Sequence, residues 1–171
     1  RNLNCLMLEA NQVGPEGAKS FATSLNLKKL ETLFLDSNPV GPKGAEALAK
    51  STCLPSLTSL HLDSSGIGDQ GVKAIAATQT LTGLRKLYLC SNKISSGGAI
   101  ALAGSPSLKN LNCLRIWRNE IRDSGGLAIA ESKYLVKLER LYMSLNLIDK
   151  PVRKVIRGSE LASRLKTLVM D

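Results

Sequence analysis

The chain of 171 residues is short of the residue types that carry most enzyme chemistry. It holds one histidine, His61, and four cysteines, Cys5, Cys53, Cys90 and Cys113, none spaced as CxxC. That leaves too few nitrogen and sulfur ligands at useful spacing for zinc, so neither metal nor cofactor is expected. Aromatic residues make up only 4%. No apolar run approaches the roughly 20 residues that span a bilayer, which excludes a membrane-crossing segment. No Asn-x-Ser/Thr sequon occurs. Cys5 and Cys113 fall in one repeat column but four strands apart, roughly 19 Å, beyond disulfide reach. Free thiols without sequons predict a reducing, intracellular (cytoplasmic) setting. No basic segment followed by an apolar one succeeds Arg1, so any targeting signal is expected outside these residues.

What is present is globular in kind: 43% apolar and 22% charged residues, with a net charge of +9 from 23 Lys and Arg against 14 Asp and Glu. The basic excess thickens toward the C-terminus, with 13 cations against 7 acids from Lys109 onward. Such charge attracts nucleic acid, anionic lipid or an acidic protein, although a solvated charged surface needs no ligand.

Self-similarity decides the fold. Leucine recurs every 27 residues at Leu3, Leu30, Leu57, Leu84, Leu111, Leu138 and Leu165. Three residues on stand Leu6, Leu33, Leu60, Leu87, Leu114, Leu141 and Leu168, and two further Leu8, Leu35, Leu62, Leu89, Ile116, Met143 and Met170. A polar column of Asn11, Asn38, Ser65, Asn92, Asn119 and Asn146 keeps the same phase. Residues 1–171 therefore form one domain of six units and a seventh strand. LxxLxL alternates as a short strand does, and the second half of each unit, as in Gly44-Ala45-x-x-Leu48-Ala49, spaces its apolar residues as a helix does. Asp69, Ser96 and Asp123 stand where N-caps are expected, and Pro15 and Pro42 suit first helical turns. One β-α unit cannot bury its own apolar face, so the units stack. Strands lie roughly 4.8 Å apart and helices are about 10 Å across, which predicts a horseshoe with a parallel sheet on the concave face and helices on the convex face. The asparagine amides can bond to adjacent turns; Ser65 can do only part of this.

LxxLxLxxNxI followed by GxxGAxxLA resembles the ribonuclease inhibitor-like class of leucine-rich repeat proteins, and the resemblance covers essentially the whole chain. It implies an α/β leucine-rich repeat solenoid. It leaves the role open, since related arrays occur in ribonuclease inhibitors, in sensing domains of NOD-like receptors, in Ran GTPase-activating proteins and in bacterial effectors. The uniform unit and links such as Ser105-Pro106-Ser107-Leu108 are more similar to bacterial arrays. In the sixth unit Val152, Arg153 and Arg157 replace Gly, Ala and Ala, as in a capping repeat, whereas nothing polar covers Leu3, Leu6 and Leu8. The chain is therefore expected to be a fragment of a longer array or chain.

Two phosphate-loop lookalikes dissolve into the repeat. Gly66-Ile67-Gly68-Asp69-Gln70-Gly71 and Gly14-Pro15-Glu16-Gly17-Ala18-Lys19-Ser20 place their glycines in shared columns, where the turn of each unit explains them. His61 and Asp63 face one side of a strand with Cys90 diagonal to them, about 7 to 8 Å away, too far for a nucleophile and its base. They read as ordinary surface residues, and no catalytic residue is assigned.

The residues between the inward leucines must project into the concavity. One exposed column reads Met7, Phe34, His61, Tyr88, Arg115, Tyr142 and Val169; the next reads Glu9, Asp36, Asp63, Cys90, Trp117, Ser144 and Asp171. Four of the six aromatics fall here. Exposed aromatics with arginine are the composition of protein-binding hot spots. Glu9, Asp36 and Asp63 sit early, and Lys86, Arg115, Arg118 and Arg140 late, which implies a bipolar partner. The expected role is a non-catalytic scaffold binding another protein through Phe34, Asp36, His61, Asp63, Tyr88, Arg115, Trp117, Arg118, Arg140 and Tyr142. Nucleic acid is disfavoured by the early carboxylates, although the late patch could stack bases. The alternatives are a GTPase-activator-like regulator presenting Arg118 or Arg122, or the sensing or targeting domain of a larger receptor or bacterial effector.

Overall fold

The computed structural model describes residues 2–171. Seven three-residue strands alternate with helices in chain order: β1 (Cys5–Met7), α1 (Pro15–Thr23), β2 (Thr32–Phe34), α2 (Gly41–Ala49), β3 (Ser59–His61), α3 (Gly68–Ala76) and β4 (Lys86–Tyr88). They continue as α4 (Ser96–Ala103), β5 (Cys113–Arg115), α5 (Asp123–Ala130), β6 (Arg140–Tyr142), α6 (Lys150–Arg157), α7 (Glu160–Arg164) and β7 (Thr167–Val169). The strands form one parallel sheet in sequence order. Each pairs with the next in a register offset by 27, as in Leu33 with Leu60 and Leu87 with Leu114. The array is an α/β solenoid with its core between sheet and helices. Leu33, Leu60, Leu87, Leu114 and Leu141 are all fully buried, whereas Leu3 in the first unit is 43% exposed.

The asparagine column satisfies the backbone where strand bends into loop. Asn38 Nδ2 donates to the Leu8 and Asp36 carbonyls (2.7 and 3.2 Å), while its Oδ1 accepts from the Asn11 and Val13 amides (2.9 and 2.8 Å). Asn92 and Asn119 do the same two and three units on. Ser65 keeps only the donor half, to the Leu35 carbonyl at 3.0 Å. The Val40 amide turns instead to the Asn38 carbonyl at 2.8 Å, and Gly41 adopts φ +64°, a left-handed turn open to glycine.

A second polar column runs along the helix ends. The hydroxyls of Ser51, Thr78, Ser105 and Ser132 donate to the carbonyls of Ala22, Ala49, Ala76 and Ala103 of the preceding unit at 2.5–2.6 Å. These carbonyls lack partners within their own helices, so each unit completes the helix before it.

The expected N-caps are corrected. Asp69, Ser96 and Asp123 lie inside the first turns of α3, α4 and α5, and Ser95 is the residue whose side chain caps α4, accepting from the Gly97 amide. The three serve the next unit instead. Asp69 Oδ1 accepts from the Ser95 amide, Ser96 Oγ from the Arg122 amide and Asp123 Oδ1 from the Asp149 amide, at 2.8 to 3.1 Å. Stacking brings the loop amides of the next unit within hydrogen-bond reach of these side chains.

The glycine column packs helix against helix rather than making the turn expected for Gly17 and Gly71. A Cβ on Gly71 would lie 3.0 Å from Ala45 Cβ and one on Gly125 2.8 Å from Ser96 Cα. The turn belongs to Gly66 and Gly68, both at positive φ. In the sixth unit the small residue changes sides: Val152 occupies the glycine column, and Gly126 replaces the alanine opposite it, where a Cβ would meet Ile148 and Ile156. α6 buries only Ile156, and an additional helix, α7, follows it. Ser159, next in the hydroxyl column, caps α7 by accepting from the Ala162 amide. Arg157, in the alanine column, donates to the Met170 carbonyl.

Leu87→Ala should lower the unfolding free energy by about 2–5 kcal/mol in urea denaturation. Gly125→Ala should lower it by about 1–3 kcal/mol, although glycine in a helix is ordinarily the poorer residue. Gly14→Ala, where the nearest atom would lie 4.0 Å away, should leave stability within about 0.5 kcal/mol.

Candidate functional site

The strand register aligns Phe34, His61, Tyr88, Arg115 and Tyr142 across β2 to β6 on the concave side. Planar groups held at strand spacing must stack. Phe34 and His61 have ring centroids 3.9 Å apart, and His61 and Tyr88 lie nearly parallel at 4.0 Å. The Arg115 guanidinium then stands 5.3 Å from the Tyr88 ring and 5.2 Å from that of Tyr142. The column expected to stand free in water is thus a five-residue ladder whose members are each half-buried. Its ends, Met7 and Val169, are exposed.

Beside the ladder, Asp36 and Asp63 each spend one oxygen on the next strand: Asp36 Oδ1 accepts from the Asp63 amide and Asp63 Oδ1 from the Cys90 amide, both at 2.7 Å. Ser59 Oγ lies 3.0 Å from His61 Nε2, a partner with no signal in the sequence beyond its place two residues earlier in the strand. Burial raises the Asp36 carboxyl to about 6, helped by the charges of Asp63 and Glu9. Burial, with the cations Lys86 and Arg115, holds His61 down to about 4. The 3.9 Å approach of His61 Nδ1 to Asp36 Oδ2 is therefore no ion pair at neutral pH, where the imidazole is uncharged.

Cys90 corrects the reading of three surface residues: it is only 1% exposed. Burial first, and then the Asp63 carboxylate, push its thiol far above the ordinary range, so it is no nucleophile. Trp117 is half-buried on the flank of the ladder, and Arg118 is exposed on the loop after β5.

Arg118 also holds φ +55°, sharing the left-handed region with Ala10, Ser37, Ser64, Ser91 and Leu145, one residue per unit. Absence of glycine hid this column. Each amide from Ala10 to Arg118 bonds to a carbonyl of the next strand, from Asp36 to Ser144, which offsets the roughly 1–2 kcal/mol steric cost. Arg140 is half-buried and lines a hollow of about 160 Å³ with Tyr88, Cys113, Arg115 and Tyr142. Cys113 was not among the expected site residues. Larger hollows, of 380 and 520 Å³, lie along the loop edge at Arg85 and Asn110 and between α5 and α7, away from the ladder.

The family profile described as leucine rich repeat matches residues 1–22, 24–49, 53–76, 81–103 and 107–130, well over half of the chain. The chain belongs to the leucine-rich repeat family. A comparison with curated proteins gave no match. Among solved structures, the leucine-rich repeat array is similar to an internalin (inlF) from Listeria monocytogenes str. 4b F2365, with a TM-score of 0.51 and 21% identity over 86% of this chain. The likeness is one of fold. The array spans 44% of that protein's length.

Because His61 is the single histidine, its ring proton should be seen by NMR to titrate near pH 4 in the folded array and near 6.5 in urea. The fold favours neutral His61, a contribution present above pH 6.5 and lost as pH falls through about 4. It also favours protonated Asp36, a contribution present below pH 3.8 and lost as pH rises through about 6. The two oppose each other in the same window. Asp36→Asn removes the second, so its urea midpoint should fall more steeply than that of the parent chain between pH 6.5 and 4.

Proposed function

We propose that this array is a non-catalytic interaction scaffold whose concave face binds a partner protein. The observation that carries the reading is the ladder from Phe34 through His61, Tyr88 and Arg115 to Tyr142, a preordered strip of aromatic and cationic surface. Stacking removes rotamer freedom before a partner arrives, so less ordering cost falls on binding. Trp117 adds a half-buried flank of the kind enriched in hot spots. Acidic Glu9, Asp36 and Asp63 toward one end and Lys86, Arg115, Arg118 and Arg140 toward the other would orient a partner carrying the opposite charge order.

Membership of the leucine-rich repeat family agrees with this role, as does the buried, raised thiol of Cys90, which offers no nucleophile. The 27-residue step with a helix in every unit supports placement in the ribonuclease inhibitor-like class. The four unpaired thiols support an intracellular setting.

Affinity capture followed by mass spectrometry tests the reading, comparing the parent chain with Phe34→Ala and Trp117→Ala variants that give matching circular dichroism. Loss of the same captured protein from both variants, with at least tenfold weaker binding once it is purified, is the expected result. Equal capture by all three chains would move recognition to the convex helices or the loop edges.

A further inference from the structure

At the centre of the sheet the register sets Lys86, Cys113 and Arg140 in one row and Tyr88, Arg115 and Tyr142 in the next. Residues two apart on a strand face the same way, so these six side chains share one patch. It contains three cations and no acid. The next residues along the same face, Cys90, Trp117 and Ser144, add none.

The arginines are also unspent. Among the described residues the salt bridges are Lys50 with Glu46, His61 with Asp36 by distance only, and Lys166 with Glu139; none involves Arg115 or Arg140. The Nε atoms of both arginines are buried without a hydrogen-bond partner, as is Ser144 Oγ close by. Buried donors are ordinarily satisfied, and charged ones most of all. Arg115 stands between the Tyr88 and Tyr142 rings, which hold it in the patch. Tyr88 keeps its proton, because burial and the neighbouring Cys113 raise its pKa, so its hydroxyl is a further donor. Tyr88, Arg115 and Arg140 line, with Cys113 and Tyr142, the hollow of about 160 Å³.

We propose that the hollow lined by Tyr88, Cys113, Arg115, Arg140 and Tyr142 binds a phosphoryl group. Two guanidinium groups with Lys86 nearby supply more positive charge than one carboxylate neutralises, and a tetrahedral dianion presents oxygens to both forks at once. The site deepens the reading of the concave face as the recognition surface, yet it is testable on the purified chain with no partner present.

Trp117, the single tryptophan, lies two residues from Arg115 and reports on the site. The full chain is titrated at pH 7.5 with inorganic phosphate, phenyl phosphate or glutarate, with potassium chloride holding ionic strength constant, and Trp117 emission and the thermal midpoint are followed. Both phosphates should give a saturable emission change and a higher midpoint, and glutarate should give neither. Arg115→Gln and Arg140→Gln should each weaken phosphate binding at least tenfold with unchanged circular dichroism, while Lys133→Gln leaves it unaltered. Arg115→Lys keeps the charge and loses the fork, and should bind more weakly than the parent if the stacked guanidinium is what grips the anion.

Tighter binding of phenyl phosphate would support an aryl-linked phosphoryl group as the ligand, and equal binding the phosphoryl group alone. No response beyond chloride, equal response to glutarate, or arginine variants that bind as the parent does would overturn the proposal. Phosphate binding that persists while Phe34→Ala and Trp117→Ala capture the same proteins as the parent would refute the partner reading and leave this site standing; the reverse pattern would do the opposite.

Discussion

Parallel strands can bond only when their backbones lie roughly 4.8 Å apart, and in this protein that spacing is imposed six times, between seven strands, with an offset of 27 residues. No unit closes its own polar backbone. The bend after a strand is satisfied by asparagine, or in part by Ser65, and by the left-handed residue before it, and the end carbonyls of α1 to α4 are satisfied by a hydroxyl from the following unit. Stability is accordingly a property of neighbouring pairs of units, as expected of a one-dimensional stack.

The same spacing makes the concave face what it is. Side chains in one column cannot avoid each other, so flat groups stack and their edges turn toward the opening of the sheet. Stacking buries part of each ring, which is why His61 and Asp36 depart in opposite directions from their ordinary acidities. It also holds Arg115 between two tyrosines without supplying a counter-charge. A surface of this kind is ordered by its own stacking, and it carries buried donors on Arg115 and Arg140 that no other group among the described residues satisfies.

On the convex side the demand is for thin contacts. Gly44, Gly71 and Gly125 meet Ala18, Ala45 and Ala99 of the helix before, and at the α5–α6 junction Val152 takes the glycine column while Gly126, where a Cβ would meet Ile148 and Ile156, takes the alanine column. Beyond it α6 carries Lys150, Arg153, Lys154 and Arg157 on eight residues, and the chain forms the extra helix α7 before returning to the sheet.

The period, the strand and helix of each unit, the inward leucines and the membership of the concave columns were all legible in the sequence, because a repeat turns position along the chain into position in space. Phe34, His61, Tyr88, Arg115 and Tyr142 could be placed on one face for that reason. What each side chain touches was decided only by the stack. Asp69 and Asp123 look like caps for their own helices, yet they accept from loop amides of the next unit. Cys90 shares a face with half-buried Tyr88 and is itself buried. The left-handed residues carry no glycine to mark them, and the lone donors of Arg115 and Arg140 depend on the absence of an acid from two adjacent strands. Repeat spacing fixes intervals between units, whereas hydrogen bonding and burial are settled by distances of a few tenths of an ångström that only the packed array defines.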